Sequence, residues 1–244
     1  MGNSYFKAIK IFLFVIALFF SILDVQAKDE LNNEGTNQLE SYSPTSFVHP
    51  GMMQNSDDLA YMREKIFQGK EPWAKAFANL KKDTSLDFTP SPFTYVSAGS
   101  YGANAIGAKE FFESAQTCYN HALMWYITQN KRYADKAIEI LNAWSYRLWG
   151  FDGNNAKLNV GLNGYFFLNA AEILRYTDSR WERKDIEQFE RMLLTVFYPT
   201  IQDFFTEANG NWDASIINTI MCIAIFTDNR DMFNRAVQRF YRGE

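Results

Sequence analysis

From residue 109 onward, apolar stretches poor in charge alternate with stretches rich in it, and this alternation constrains the fold more than any other feature of the chain. The helical period predicts helices over about 109–128, 131–146, 159–176, 182–197, 211–226 and 229–242. The first carries three charged residues (Lys109, Glu110 and Glu113), the third two (Glu172 and Arg175) and the fifth only Asp213. The second, fourth and sixth carry five, seven and five. A helix that is apolar nearly all round must be buried on most sides, whereas an amphipathic one can face water. Low-charge helices joined by short loops to charge-rich ones therefore predict an inner and an outer layer of antiparallel hairpins. The expected fold is all-α, an (α/α) toroid or barrel of helical hairpins with a cleft at one end. An ordinary stacked helical bundle is the alternative. No short repeat is visible, so a solenoid of near-identical units is not expected.

The segments before residue 109 divide differently. Lys7 and Lys10 precede an apolar run from Ile11 to Leu23, and Val25-Gln26-Ala27 places small residues where a signal peptidase cuts. Residues 1–27 read as a secretory signal, which points to a periplasmic or secreted protein with no stable membrane anchor after cleavage. The apolar run is short for a membrane span, which needs about 20 residues. Residues 28–46 are polar and read as a flexible leader. A single domain is expected over 47–244. Phe47-Val48-His49-Pro50-Gly51 forms a turn, Ser56 is a good N-cap for a helix reaching about Gln68, and Pro72 suits the first turn of the next. Residues 83–107 lack a helical period and carry Phe88, Phe93, Tyr95 and Tyr101, which favours an ordered loop facing substrate.

Charge and cysteine usage exclude several classes. Removing Lys7, Lys10 and Asp24 leaves 22 basic and 27 acidic residues, a formal charge of −5. Nucleic-acid binders are usually basic, so no nucleic-acid partner is expected. A local basic cluster can still bind an acidic polymer. Cys118 and Cys222 both lie in apolar helical stretches, where buried thiols are the commoner state and a disulfide is the alternative. No phosphate loop, Gly-x-Ser-x-Gly elbow or His-Glu-x-x-His is present, and no cofactor or metal is expected.

The candidate site residues cluster on the low-charge helices. The fifth opens with Asn209-Gly210-Asn211-Trp212-Asp213, and Asn211, Ser215, Asn218 and Cys222 recur at helical spacing. Carboxamides on an otherwise apolar helix either bond to neighbouring backbone or line a polar cleft. His121, on the first low-charge helix, has the chemistry of a base or charge-neutralising donor, although a lone His is more often packed. Asn159 and Asn163 stand one turn apart beside Tyr165. Trp144, Trp149, Tyr165 and Trp212 could stack on sugar rings, and Arg132, Arg147 and Lys157 could meet a carboxylate. Asn211, Asn163 and His121 are expected to approach one concave surface.

Several of these segments together resemble the alginate lyase family. They are Phe47-Val48-His49-Pro50-Gly51 with the helix after it and Pro72-Trp73, then Ala122-Leu123-Met124-Trp125-Tyr126-Ile127-Thr128, and Ile140-Leu141-Asn142-Ala143-Trp144-Ser145. Asn169 to Tyr176 and Asn209 to Ala214 complete the resemblance, which spans about residues 47–242. It implies a toroid that cleaves uronate polymers by β-elimination, with about twice the hairpins expected here, so the domain is expected to be incomplete in this chain. Such an enzyme neutralises the substrate carboxylate, a base removes the proton on the adjacent ring carbon, and the glycosidic oxygen leaves. The resemblance implies that Asn211 is the neutraliser. Together with the candidates above, it implies Asn211 and His121 as catalytic, and Asn163, Tyr165, Trp212, Asn218 and Arg147 as contacts to an anionic poly- or oligosaccharide. Alginate lyases proper carry His directly after an Asn in a comparable motif. Trp212 stands there in this chain, which opens the substrate to glucuronan and related polymers. A glycoside hydrolase, which needs two carboxylates flanking one bond, and a non-catalytic sugar-binding protein are the alternatives.

Overall fold

The computed structural model describes residues 46–207 and 210–242. The expected signal peptide, all but the last residue of the expected leader, and Asn209 lie outside the described residues. Helices α1 (Ser56–Phe67) and α2 (Trp73–Asp83) precede a short strand β1 (Tyr95–Ser97) and a 3₁₀ turn (Ser100–Gly102). Helix α3 (Ala108–Thr128) turns into α4 (Lys131–Ser145), followed by strand β2 (Gly150–Asp152) and helix α5 (Ala156–Arg175). Helix α6 (Arg183–Met192) continues through a π turn (Leu193–Phe197) into α7 (Tyr198–Ile201), and the hairpin α8 (Asn211–Phe226) and α9 (Arg230–Arg242) ends the series.

Layering follows the charge alternation. The low-charge helices α3, α5 and α8 pack side by side, with α5 between the other two. Charge-rich α4, α6–α7 and α9 back them. Each charge-rich helix returns antiparallel to its partner, so the three inner helices are parallel. The fold is therefore the inner-and-outer hairpin arrangement of an (α/α) toroid.

Close packing of the inner layer depends on two glycines. A Cβ on Gly161 would lie 2.6 Å from the Ser215 Oγ, and one on Gly164 would lie 2.8 Å from the Thr219 Cγ2. These gaps let α5 and α8 approach until the Thr219 hydroxyl donates to the Gly161 carbonyl at 2.8 Å. The space between inner and outer layers is filled by aromatics. Phe111 is their hub, with ring centroids 5.2 Å from Trp144, 5.1 Å from Phe151, 5.3 Å from Phe167 and 5.8 Å from Phe197. The Phe167 contact is tilted and the other three are edge-on, a geometry that suits the ring quadrupoles and adds to the burial of large apolar area. Both cysteines are buried free thiols.

Strands β1 and β2 form a parallel ribbon, pairing Tyr95 with Gly150, Val96 with Phe151 and Ser97 with Asp152. The ribbon ties the segment leading into α3 to the segment leading into α5. At the other end of the layer, residues 47–55 cross the inner helices as a strap. Phe47 packs edge-on against Phe233 of α9 at 5.2 Å. The Gly51 amide donates to Glu172 of α5 at 2.9 Å, and the Met53 amide to Asn169 at 3.0 Å. Gln54 accepts a hydrogen bond from the Tyr119 hydroxyl of α3 at 2.6 Å.

Candidate active site

The N-termini of the three inner helices lie at one end of the layer, beside the ribbon. The Asn155 amide donates to the Ala98 carbonyl at 2.9 Å, and the Lys157 ammonium to the Phe204 carbonyl at 2.7 Å, which links the three entering segments. None of these inner helices begins with a side-chain cap: Gly107 (φ 71°), Asn155 and Gly210 (φ 111°) stand at the cap positions of α3, α5 and α8. Helices α1, α4 and α9 are capped by Asn55, Asn130 and Asn229, while α2 and the outer helix α6 also begin without a side-chain cap. The positive ends of three helix dipoles thus lie at one end of the layer, the mouth, an arrangement that favours anions there.

Asn211 is the first residue of α8 and is exposed at this mouth. Trp212 is half-buried, with its ring 4.7 Å from that of Phe205. Asn218 is exposed two turns further along α8. Asp213 faces the opposite way: buried, it accepts from the Phe205 amide at 3.0 Å and pairs with Arg239 of α9 at 2.9 Å. This pair locks the inner helix to its outer partner and removes Asp213 from the carboxylates that a glycoside hydrolase could use.

The expected common surface for Asn211, Asn163 and His121 does not form. His121 has no exposed surface and lies against the outer helix α4, its ring 5.8 Å from that of Tyr133. Its Nδ1 lies 2.8 Å from the Thr117 carbonyl one turn back, so this nitrogen donates. Burial holds the imidazole below its ordinary range, against the pull of the Thr117 and Ser85 backbone groups. Asn163 is also buried, and its amide donates to the Asn159 carbonyl at 2.9 Å. Helical period gives the face of a helix but not which neighbour covers it when several sides are buried. Tyr165 is buried too, and desolvation pushes its phenol well up, which removes it as a ready base.

The remaining candidates divide by position. Lys157 is engaged by the Phe204 carbonyl. Arg132 lies at the start of α4, away from the mouth. Arg147 is exposed at the mouth end, but at the outer helix rather than beside Asn211. Trp144 is core, and Trp149 is 71% exposed. The loop aromatics separate likewise, because Phe93 packs on Gly107 while Tyr101 is fully exposed.

Tyr101 is the residue whose weight the sequence concealed. It adopts a left-handed conformation (φ 55°, ψ 24°), which is uncommon for a bulky side chain and costs energy. The turn is fixed by the Ala103 backbone amide donating to the Ser100 carbonyl at 3.1 Å and by the Asn154 side-chain Nδ2 donating to the Ser100 hydroxyl at 3.1 Å. The result holds a phenol in solvent beside the start of α5. Only the surrounding aromatics and glycines of the loop signalled it.

An all-helical hairpin toroid with its inner N-termini gathered at one mouth is the class that this fold and site define. The alginate lyase family profile matches residues 95–244, more than half of the chain, and the protein belongs to that family. Among solved structures, the chain is similar to an alginate lyase from Bacteroides ovatus at 16% identity and a TM-score of 0.58. The match covers 79% of this chain and 65% of that one, so the chain spans under two thirds of its structural neighbour. No curated protein matches the sequence.

Proposed function

We propose that the protein is a polysaccharide lyase that cleaves a uronate polymer, alginate, glucuronan or a related chain, by β-elimination. The activity is that of the whole domain, of which this chain spans the part described above. The observation that carries the reading is the exposed position of Asn211 as the first residue of α8, at the end of the layer where the three inner helices begin without side-chain caps. A substrate carboxylate bound there meets oriented donors. The Asn211 carboxamide donates to it, neutralises its charge and makes the proton on the adjacent ring carbon more acidic. A base then removes that proton, and the glycosidic oxygen leaves with the electron pair. Trp212 and Asn218 continue the substrate-facing side of α8, and the exposed Tyr101 supplies a phenol at the same mouth. His121, Asn163 and Tyr165 support the inner layer from within. The N-terminal signal adds a periplasmic or secreted setting, where such polymers are met.

The expected consequence of Asn211→Ala in the complete enzyme is a loss of turnover of about 10²-fold or more, the usual size for removing one preorganised donor. Ultraviolet absorbance of unsaturated uronate ends measures it directly, and the exposed position of Asn211 leaves unfolding unaffected. A variant with full activity would remove Asn211 from the mechanism. Absence of unsaturated ends from every uronate polymer tested would remove the lyase reading itself.

A further inference from the structure

One peptide unit between α7 and α8 is held from both sides by charge. Its carbonyl, that of Phe204, accepts from the Lys157 ammonium of α5 at 2.7 Å. Its amide, that of Phe205, donates to the Asp213 carboxylate of α8 at 3.0 Å. Asp213 in turn pairs with Arg239 of α9 at 2.9 Å, and both are buried. Cation, peptide, carboxylate and cation thus alternate along one chain of contacts that runs from α5 through the loop to α8 and α9. Charge-assisted hydrogen bonds are the stronger kind, and neighbours in such a chain polarise one another. The side chains on either side of the peptide are fixed as well. Phe204 is buried in the left-handed region (φ 56°), uncommon for an aromatic residue. The guanidiniums of Arg235 and Arg239 lie 5.2 Å and 5.8 Å from its ring centre. Arg235 also donates to the Gln202 carbonyl at 2.7 Å, and the Phe205 ring packs on Trp212 at 4.7 Å.

We propose that Lys157 is a positioning residue for the elimination, setting Asn211 through this peptide and Asp213 rather than by touching the sugar chain. This rests on the lyase reading given above. Asn211 and Asp213 stand two residues apart in the first turn of α8, roughly 200° apart around an axis of 3.6 residues per turn. Asp213 is buried and Asn211 exposed, so a hold on Asp213 also fixes the direction in which Asn211 faces. No cap side chain orients this turn, which begins behind Gly210 at φ 111°. The held peptide takes that part. A neutralising donor works only when its N–H is aimed at the substrate carboxylate, and a misplacement of about 1 Å costs about 10²-fold in rate. Lys157 lies in the first turn of α5, so the aim of Asn211 is tied to the neighbouring inner helix as well as to its own.

Turnover by the complete enzyme, read from unsaturated uronate ends, tests the assignment in a cycle of Lys157→Met and Asn211→Ala. Met preserves the length of the side chain and removes the donor. Lys157→Met is expected to lower kcat about tenfold, a part of the roughly 10²-fold for a 1 Å misplacement, and to leave KM unchanged. Added to Asn211→Ala, it is expected to lower kcat no further, since residues that act through one another are not additive. A second measurement needs no turnover. The nuclear magnetic resonance signals of the Phe205 amide and the Trp212 indole are expected to shift in Lys157→Met, the amide proton upfield as its peptide loses the cation. Wild-type kcat in Lys157→Met would overturn the proposal. So would a raised KM at unchanged kcat, which marks direct contact with the sugar chain, a full tenfold loss persisting in Asn211→Ala, or unmoved Phe205 and Trp212 signals. The lyase reading fails separately. Full activity in Asn211→Ala removes the neutraliser itself, whereas normal turnover in Lys157→Met beside an impaired Asn211→Ala removes only the positioning role.

Discussion

Glu172 is the residue on which the strap turns. Fully buried on inner helix α5, it accepts at Oε2 from the Gly51 amide and from His49 Nδ1, both at 2.9 Å. Burial pushes its carboxyl above the model-peptide range, opposed by those two hydrogen bonds and by the Arg175 charge. The folded state thus holds a proton more tightly than the unfolded chain. The resulting stabilisation is complete below the ordinary Glu value of 4.5 and is lost as pH rises through the raised value. Glu172→Gln keeps an acceptor without the charge, so this variant is expected to equal or exceed wild-type stability at neutral pH and to lose that slope. Glu172→Leu strands the Gly51 and His49 donors and should cost about 1–3 kcal/mol. Urea unfolding across pH measures both, and a Glu172→Gln protein markedly weaker at neutral pH would contradict the sign. His121 works the other way: depressed by burial, it loses stability as pH falls below its ordinary value of 6.5. The sequence exposed neither setting, because it placed His121 on a cleft and His49 merely in a turn. The partners of His49, Glu172 and Asp228, lie 123 and 179 residues away.

Elements were far more legible than contacts. The span expected for the fifth helix, the third of the low-charge ones, is the one observed for α8, and the other helices of the hairpins differ at their ends by a few residues. Periodicity and charge suffice for this because each hairpin has one buried and one wet partner. The ribbon was missed for a physical reason: three-residue strands containing Ser and Gly carry no period, and only their pairing stabilises them. The π turn at Leu193–Phe197 was equally silent, since one widened turn leaves composition unchanged. Glycines inside α5 look like weak helix positions, yet they set the α5–α8 spacing. Gly161→Ala should gain up to about 1 kcal/mol in helix propensity. The new methyl would nevertheless lie 2.6 Å from the Ser215 Oγ and 3.1 Å from the Ile216 amide nitrogen, the latter part of a rigid backbone. Overpacking of this kind costs about 1–3 kcal/mol, so a net loss is expected, with Gly161→Val worse. Thermal unfolding decides it, and a stabilised Gly161→Ala would mean that the two helices can separate freely.

At the scale of the whole domain, the strap supplies the coupling that sequential hairpins lack. Each hairpin packs mainly on its chain neighbours, whereas residues 47–55 touch α9, α5 and α3 in turn. His49 is the central tie: its Nδ1 meets Glu172 at 2.9 Å, its Nε2 meets Asp228 at 3.2 Å beyond the end of α8, and its ring stacks on Tyr176 at 4.4 Å. His49→Ala deletes all three contacts and leaves the buried Glu172 with one donor. Hydrogen bonds to charged groups are worth about 1.5–3 kcal/mol, so a loss of roughly 2 kcal/mol is expected. In a domain of this size that lowers Tm by about 4–8 °C. Because the strap ties two inner helices, α3 and α5, to the outer helix α9, the unfolding transition should move as a whole and stay single. Calorimetry combined with amide exchange at Gly51 and Met53 distinguishes the outcomes. An unmoved main transition, with those two amides exchanging freely in the variant, would show that the strap only rests on a layer already stable without it.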